Sequence, residues 1–235
     1  ILLGNAVAHH AQASTLLSIA NWIGAQTGAT VGFLTEAANT VGAQWVGAVP
    51  QAHGMHAGEM LAGGVKAAIL LNCEPAFDTA AGSQALQGCE MVVSLSPFKA
   101  NMDIADVLLP IAPFTETSGS FVNAEGRVQS FHAVVKPLGD TRPGWKVLRV
   151  LGNLLDVAGM AFDSSQDVLA VATGSQGQVP AELLSNSTKT NMAVSAPAGQ
   201  EPVVASIYQL DGIVRRAPSL QMTADARQSS EVVAA

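Results

Sequence analysis

Apolar positions along this chain keep no single period, and each change of spacing marks a new element. Ile1-Leu2-Leu3 is a short continuous apolar run and reads as a strand already under way. From Ala11 to Thr27 the residues Leu16, Leu17, Ala20, Ile23 and Gly24 recur at intervals of three and four, which predicts a helix that Gly28 is placed to end. Val31 to Leu34 predicts the next strand. Thr35 to Pro50, rich in Gly, Ala and Asn, predicts a loop. Gly58 to Leu61 reads as a short helix closed by Gly63-Gly64. Ala67 to Leu71 is apolar throughout and bounded by turn residues, the pattern of a strand buried on both faces. A helix over Thr79–Leu86, a strand over Glu90–Ser94, a helical turn at Ala100–Asp103 and a strand over Asp106–Leu109 stopped by Pro110 follow. This alternation predicts an α/β fold: a mostly parallel sheet with flanking helices.

Beyond Pro110 the pattern changes. Ser118 to Val135 alternates polar and apolar residues around Gly119 and Gly126, which predicts short antiparallel strands or an extended excursion. Pro143 to Leu155 predicts a helix whose apolar face is Trp145, Leu148, Leu151, Leu154 and Leu155. Ser164 is placed to cap a helix running to Ala172. Residues 173–203, dominated by Ser, Thr, Gly, Gln, Ala and Pro, predict a loose linker around one short helix near Ala181–Leu184, and Arg227–Ala235 predicts disorder. The expected division is an α/β domain over residues 1–160 and an irregular C-terminal segment of helix, linker and tail over residues 161–235.

Composition narrows the partners. Hydrophobic residues make up 49% of the chain and charged residues 12%, against a usual charged share of about 25%, which predicts surface covered by a partner or by further chain. The absence of an initial methionine predicts a start inside a larger protein. A net charge of -7 disfavours nucleic acid, whose phosphates need clustered Lys and Arg; Arg215-Arg216 is the only adjacent basic pair. No apolar run approaches the roughly 20 residues that span a bilayer, so no direct membrane insertion is expected. Two cysteines, Cys73 and Cys89, do not make a disulfide framework; two free thiols in a reducing cytoplasm are the expectation.

Two stretches carry a resemblance. The first is Ala105-Asp106-Val107-Leu108-Leu109-Pro110. The second runs from Glu116-Thr117-Ser118-Gly119-Ser120 through Phe121-Val122-Asn123-Ala124 to Glu125-Gly126-Arg127-Val128-Gln129. Together they resemble the signature of the molybdopterin oxidoreductase superfamily, which implies a Rossmann-like α/β domain. The continuation through Pro137-Leu138-Gly139, Arg142-Pro143 and Trp145-Lys146-Val147-Leu148 looks like the branch in the large iron–sulfur subunit of bacterial NADH:quinone oxidoreductase, complex I. Ile207-Tyr208-Gln209-Leu210-Asp211 and Val214-Arg215-Arg216-Ala217-Pro218-Ser219-Leu220-Gln221 resemble the end of that subunit. The resemblance covers residues 1–160 and 203–224.

That branch implies a scaffold domain with no redox centre of its own, serving NADH dehydrogenase electron transport to quinone. No catalytic residue, no metal and no cofactor would then belong to these residues, and Glu116, Gly119, Asn123, Glu125, Gly126, Arg127 and Gln129 would be a vestigial cofactor motif. Iron–sulfur clusters would lie in an N-terminal part of the parent chain. Partners would be that part and other peripheral-arm subunits, on the cytoplasmic side of the bacterial inner membrane. The residues also speak without the family. Gly119 and Gly126 allow turns or close backbone approach, Asn123 can bond its own backbone, and Glu116, Glu125 and Arg127 can form ion pairs that fix a tight excursion. In cofactor-bearing relatives this region lies near the pterin.

Other chemistry is sparser. Two cysteines cannot hold an iron–sulfur cluster, which takes about four. Leu71-Asn72-Cys73-Glu74-Pro75 follows a predicted parallel strand, where ligands bind in open sheets, yet Glu74 departs from the turn usual in molybdenum enzymes. His53, His56 and Glu59 are spaced for one helix face, but Gly54 and Gly58 oppose a helix there, so loop histidines are expected. His9-His10 precede a helix and can contact polar groups at its start. No glycine-rich phosphate loop occurs. Two other functions stay open: part of an active molybdopterin-dependent enzyme such as a formate dehydrogenase, and an isolated nucleotide-binding module.

Overall fold

A computed structural model describes residues 1–79, 81–188 and 206–227. The expectations for residues 189–203 and 228–235 lie outside the described residues. Contacts gather the chain into two compact units, each taking residues from either side of position 160.

The first unit holds Ile1–Ala48, the hairpin tip Ser120–Gln129 and the described residues from Ala172 to 188. Strands β1 (Leu2–Leu3) and β2 (Gly32–Phe33) pair in parallel, Leu2 opposite Gly32 and Leu3 opposite Phe33. Helices α1 (Asn5–Ala8) and α2 (Ala13–Thr27) connect them. Helix α2 ends as its glycine requires: Gly28 takes φ 75° and its N–H donates to the Gly24 carbonyl. The loop expected over Thr35–Pro50 is corrected, because α3 (Thr40–Trp45) forms within it. Six residues containing Gly42 carry too little helical signal to be read from sequence.

The second unit holds Val49–Gly119, Ser130–Val171 and the described residues from Ser206. Helix α4 (Ala57–Leu61) precedes a parallel sheet ordered β3 (Ala67–Leu71), β4 (Met91–Ser96), β5 (Val107–Pro110). Ile69, Val93 and Val107 lie abreast, as do Leu71, Leu95 and Leu109. The mostly parallel α/β architecture matches expectation. Pro110 closes the outer strand at a position where its missing N–H costs little. The core centres on β4, with Leu95 at 0% exposure and Ser94 fully buried beside it. β3 is not covered on both faces, since Ile69 and Leu71 stay 57% and 48% exposed.

The helix expected over Thr79–Leu86 is also corrected. Pro75 starts the short α5 (Pro75–Asp78), Thr79 is extended, and Gly82 at φ 63° leads into a 3-10 turn over Ser83–Leu86. Strands β6 (Gly119–Val122) and β7 (Val128–Phe131) pair as a hairpin, the first of the two forms expected there. Helix α6 (Gly144–Leu154) forms with Pro143 just ahead of it, but its last turn is bare: Leu154 and Leu155 are 75% and 70% exposed. Ser164 caps α7 (Ser165–Thr173) reciprocally: its hydroxyl accepts from the Asp167 N–H, and the Asp167 carboxylate accepts from the Ser164 N–H. Those bonds, from the Ser164 side chain first, hold the Asp167 carboxyl below its usual range. Near Ala181 the expected short helix is a 3-10 turn over Ala181–Leu183. Helices α8 (Gly212–Arg215) and α9 (Pro218–Gln221) follow, and residues 224–227 are again helical, which corrects the disorder expected at Arg227. Among the described residues no helix is long and apolar enough to cross a membrane.

Candidate functional site

In the first unit, β1 and β2 run parallel and end on the same side. The chain leaving β1 enters α1 at Asn5, and the chain leaving β2 passes through Thr35 and Glu36 to α3. A cavity of about 730 Å³ opens there, where ligands sit in parallel α/β sheets. Trp45 and Phe33 give it aromatic walls, and Asn5, Thr35 and Gln44 give it neutral hydrogen-bonding groups. Its ionisable side chains are Glu36 and His9, joined Oε2 to Nε2 at 2.7 Å. Among the described residues neither Lys nor Arg lines it. This donor set fits a flat polar heterocycle, stacked on an aromatic wall and read by a carboxylate. Sequence reasoning missed Glu36 and Trp45; the available signal was a carboxylate just past the end of a short predicted strand.

The motif hairpin reaches this cavity at its tip, where Ala124 is part of the lining. Asn123 makes the turn: its Oδ1 accepts from the Glu125 and Arg127 N–H groups at 3.1 and 2.9 Å. Gly126 sits at φ 84°, where an added Cβ would lie 3.1 Å from Leu184 and 3.2 Å from Val179. Its carbonyl accepts from the Val179 N–H, and Arg127 bridges to Gln178. Asn39 holds the opposite side, accepting from the Val122 N–H at 2.8 Å. Gly119 opens β6, and an added Cβ there would meet the Phe131 ring at 2.7 Å. Gln129 is exposed on β7. Glu116 lies in the second unit, where its carboxylate accepts from the Leu138 N–H. The ion pairs expected among Glu116, Glu125 and Arg127 are corrected. Among the described residues none joins them, and backbone bonds with the Asn123 side chain fix the turn instead.

In the second unit the turn after β3 is held from within the chain. Asn72 takes φ 49°. Glu74, buried, pairs with Arg216 through both oxygens, at 2.9 and 3.0 Å. Arg215, its side chain 6% exposed, binds Asp78 at 2.7 Å and approaches Glu74 at 3.8 Å. Each guanidinium also lies over a ring, Arg215 over Phe77 and Arg216 over Phe98. The turn after β3 is thus tied down by Arg215 at the end of α8 and by Arg216 just past it.

Cys73 lies beside this cluster. Burial, and after it the Asp78 carboxylate, pushes its thiol from an ordinary 9.0 up to about 11. A thiol that keeps its proton is a poor metal ligand. Because the folded value is the higher one, its contribution to stability is intact below about 9 and lost as pH rises toward about 11. Alkylation of Cys73 by iodoacetamide at pH 8 is expected to be about a hundredfold slower in the folded chain than after unfolding, tracked by peptide mass spectrometry. Equal rates would show an ordinary thiol.

His53, His56 and Glu59 do not converge as ligands. His56 caps α4, its Nδ1 accepting from the Glu59 N–H while the Glu59 carboxylate accepts from the His56 N–H. His10 accepts from the Gln12 N–H at the start of α2. Among the described residues no group of three or more His, Cys, Asp or Glu is arranged to hold a metal.

Comparison with known proteins adds identity to this geometry. The family model described as Molybdopterin oxidoreductase matches residues 4–154. A putative formate dehydrogenase of Staphylococcus aureus (strain MRSA252) is 45% identical over 51 residues, 22% of this chain and 5% of that protein. A probable oxidoreductase of Bacillus subtilis (strain 168) is 36% identical over 70 residues, 30% of this chain and 7% of that protein. The chain therefore spans only a small part of the length of these relatives. These matches correct the expected place in NADH:quinone oxidoreductase. They lie with the broader family and with relatives named formate dehydrogenase, and lend no support to the large subunit of complex I, to NADH dehydrogenase activity, to quinone or to an iron–sulfur role. With more than half of its residues matched by the family model, the chain belongs to the molybdopterin oxidoreductase family.

Proposed function

We propose that this chain is part of a molybdopterin-dependent oxidoreductase of the formate dehydrogenase-like class, and that it contributes a wall of the cofactor site. The observation that carries this is the meeting of the family motif with the cavity. The hairpin tip at Ala124 lines the space at the ends of β1 and β2, and Asn5 to Trp45 and Ala124 all fall within the matched residues.

When bound, the cofactor supplies the oxidation–reduction chemistry; the protein supplies binding, orientation and electrostatics. In this chain Trp45 and Phe33 offer faces for a planar ring, and Asn5 and Thr35 offer hydrogen bonds at its rim. The Asn39 and Gly126 contacts hold the hairpin tip against the cavity.

The test is the protein purified from its own source cells. Pterin released by oxidation and measured by fluorescence, together with molybdenum or tungsten by elemental analysis, is expected in stoichiometric amount. Formate-dependent dye reduction is expected to accompany them. Absence of both pterin and metal would remove the reading.

A further inference from the structure

We propose that the surface formed by Phe114, Val134, Val135 and Leu138, with the cations Lys136, Arg142 and Lys146 among and beside them in the chain, docks an acidic amphipathic segment of a partner protein. The proposal concerns the second unit alone and is independent of the cofactor reading above.

Backbone bonds gather the four apolar residues. The Thr115 carbonyl accepts from the Val134 and Val135 N–H groups, at 2.9 and 3.4 Å. The Glu116 carboxylate accepts from the Leu138 N–H at 2.9 Å. The stretch from Val134 to Leu138 is thus laid along the 3-10 turn Phe114–Glu116. Beyond it Gly139 takes φ 57°, and Thr141 returns to the Leu138 carbonyl through both its N–H and its hydroxyl, at 3.2 and 2.7 Å. Val134 and Leu138 nevertheless stay 82% and 78% exposed, and Phe114 and Val135 are exposed beside them. An exposed apolar cluster bordered by charge is the mark of an interaction surface. Because the backbone that carries it is already fixed, little ordering entropy is lost when a partner covers it.

Charge selects the partner. The chain is acidic, with 18 Asp and Glu against 11 Lys and Arg. Residues 132–146 reverse that balance, holding Lys136, Arg142 and Lys146 against one acid, Asp140. All three cations are exposed. Among the described residues none of them pairs with a carboxylate: Arg142 donates to the Thr141 carbonyl, and Lys146 lies over the Trp145 ring. Glu116, the acid of the adjoining turn, is engaged by the Leu138 N–H. A segment that carries carboxylates beside apolar side chains complements both features. An anionic lipid surface would attract the same cations, but it would also face the chain's net charge of -7. A short segment feels only the charges within a Debye length, about 8 Å at physiological salt, so a protein segment is the better fit.

The test is fluorescence anisotropy of labelled synthetic helical peptides added to the full 235-residue chain. One peptide is built of Leu and Glu with its leucines on one face, one of Leu and Lys in the same pattern, and one of Ser and Glu. The Leu–Glu peptide is expected to bind at least about tenfold more tightly than either of the others, and to weaken as salt is raised. Leu138→Ser and Lys136→Glu are each expected to weaken it by about tenfold. Val171→Ser, at another exposed apolar site of the second unit, is expected to leave it unchanged. All three sites are exposed, so the variants are expected to fold, which their melting curves check. Equal binding of the three peptides, binding of none, or an equal loss in Val171→Ser would overturn the proposal. Three further outcomes would overturn it by assigning the surface elsewhere. Tighter binding to phosphatidylserine vesicles than to the Leu–Glu peptide, lost in Lys136→Glu, would assign it to a membrane. Self-association in sedimentation that Leu138→Ser abolishes would assign it to a second copy. In the protein purified from its source cells as a single chain, Lys136 is expected to react with an N-hydroxysuccinimide ester, and shielding there would assign the surface to further chain of the same protein.

Discussion

Replacing Glu74 with Gln is expected to lower the stability of the second unit by about 3 kcal/mol, the lower end of what breaking a buried ion pair costs. The carboxylate is buried and faces two guanidinium groups, Arg216 through both oxygens and Arg215 at 3.8 Å. Glutamine keeps the shape and removes the charge. Arg216 is 36% exposed and can recover water, which moderates the loss. Arg215 is 6% exposed, and its Nε and Nη1 already lack hydrogen-bond partners, so it can recover little and keeps only Asp78. Denaturant unfolding followed by circular dichroism reads the effect. A double-mutant cycle with Arg216→Ala apportions it, and a coupling below about 0.5 kcal/mol would mean that the pair does not hold the turn.

Leu95→Ala is the second large effect expected, with a loss of about 2–5 kcal/mol. Leu95 lies on the central strand β4 with no exposed surface, between Leu71 and Leu109 on the neighbouring strands. Its removal leaves a cavity that hydrogen-bonded strands on both sides cannot easily fill. The contrasting control is Ile69→Ala, also an apolar residue in the sheet but 57% exposed, where a much smaller loss is expected. Thermal unfolding of the two variants compares them directly, and equal losses would mean that the β3 face is covered in solution.

Long-period features of this fold were legible in the sequence, and short or distant ones were not. Helix α2 announced itself by spacing and by Gly28, and α6 by its apolar stripe. The three strands of the second sheet stood out as apolar runs between turn residues. Helices α1, α3 and α5 are four to six residues long, too short for a period to show, and their stability comes from what they pack against. The hairpin was legible because Asn123 and Gly126 are chemically suited to its turn. The pairing of Glu125 or Arg127 was not, because nearness in sequence does not bring exposed charges together. At the candidate site the missing step was distance: His9 and Glu36 are 27 residues apart, and no local pattern joins them. The specific branch failed for a different reason. A motif that belongs to a whole superfamily fixes the family and the fold, and does not by itself single out one branch.

The clamp on the turn after β3 also sets a schedule. Glu74 and Arg216 are 142 residues apart, and Asp78 and Arg215 are 137 apart. On a ribosome adding about 5–20 residues each second, the two acids emerge many seconds before their arginines. Closing so long a loop is slow, because its entropy must be given up before the contact returns anything. Arg215 and Arg216 therefore act as a late latch on the turn after β3.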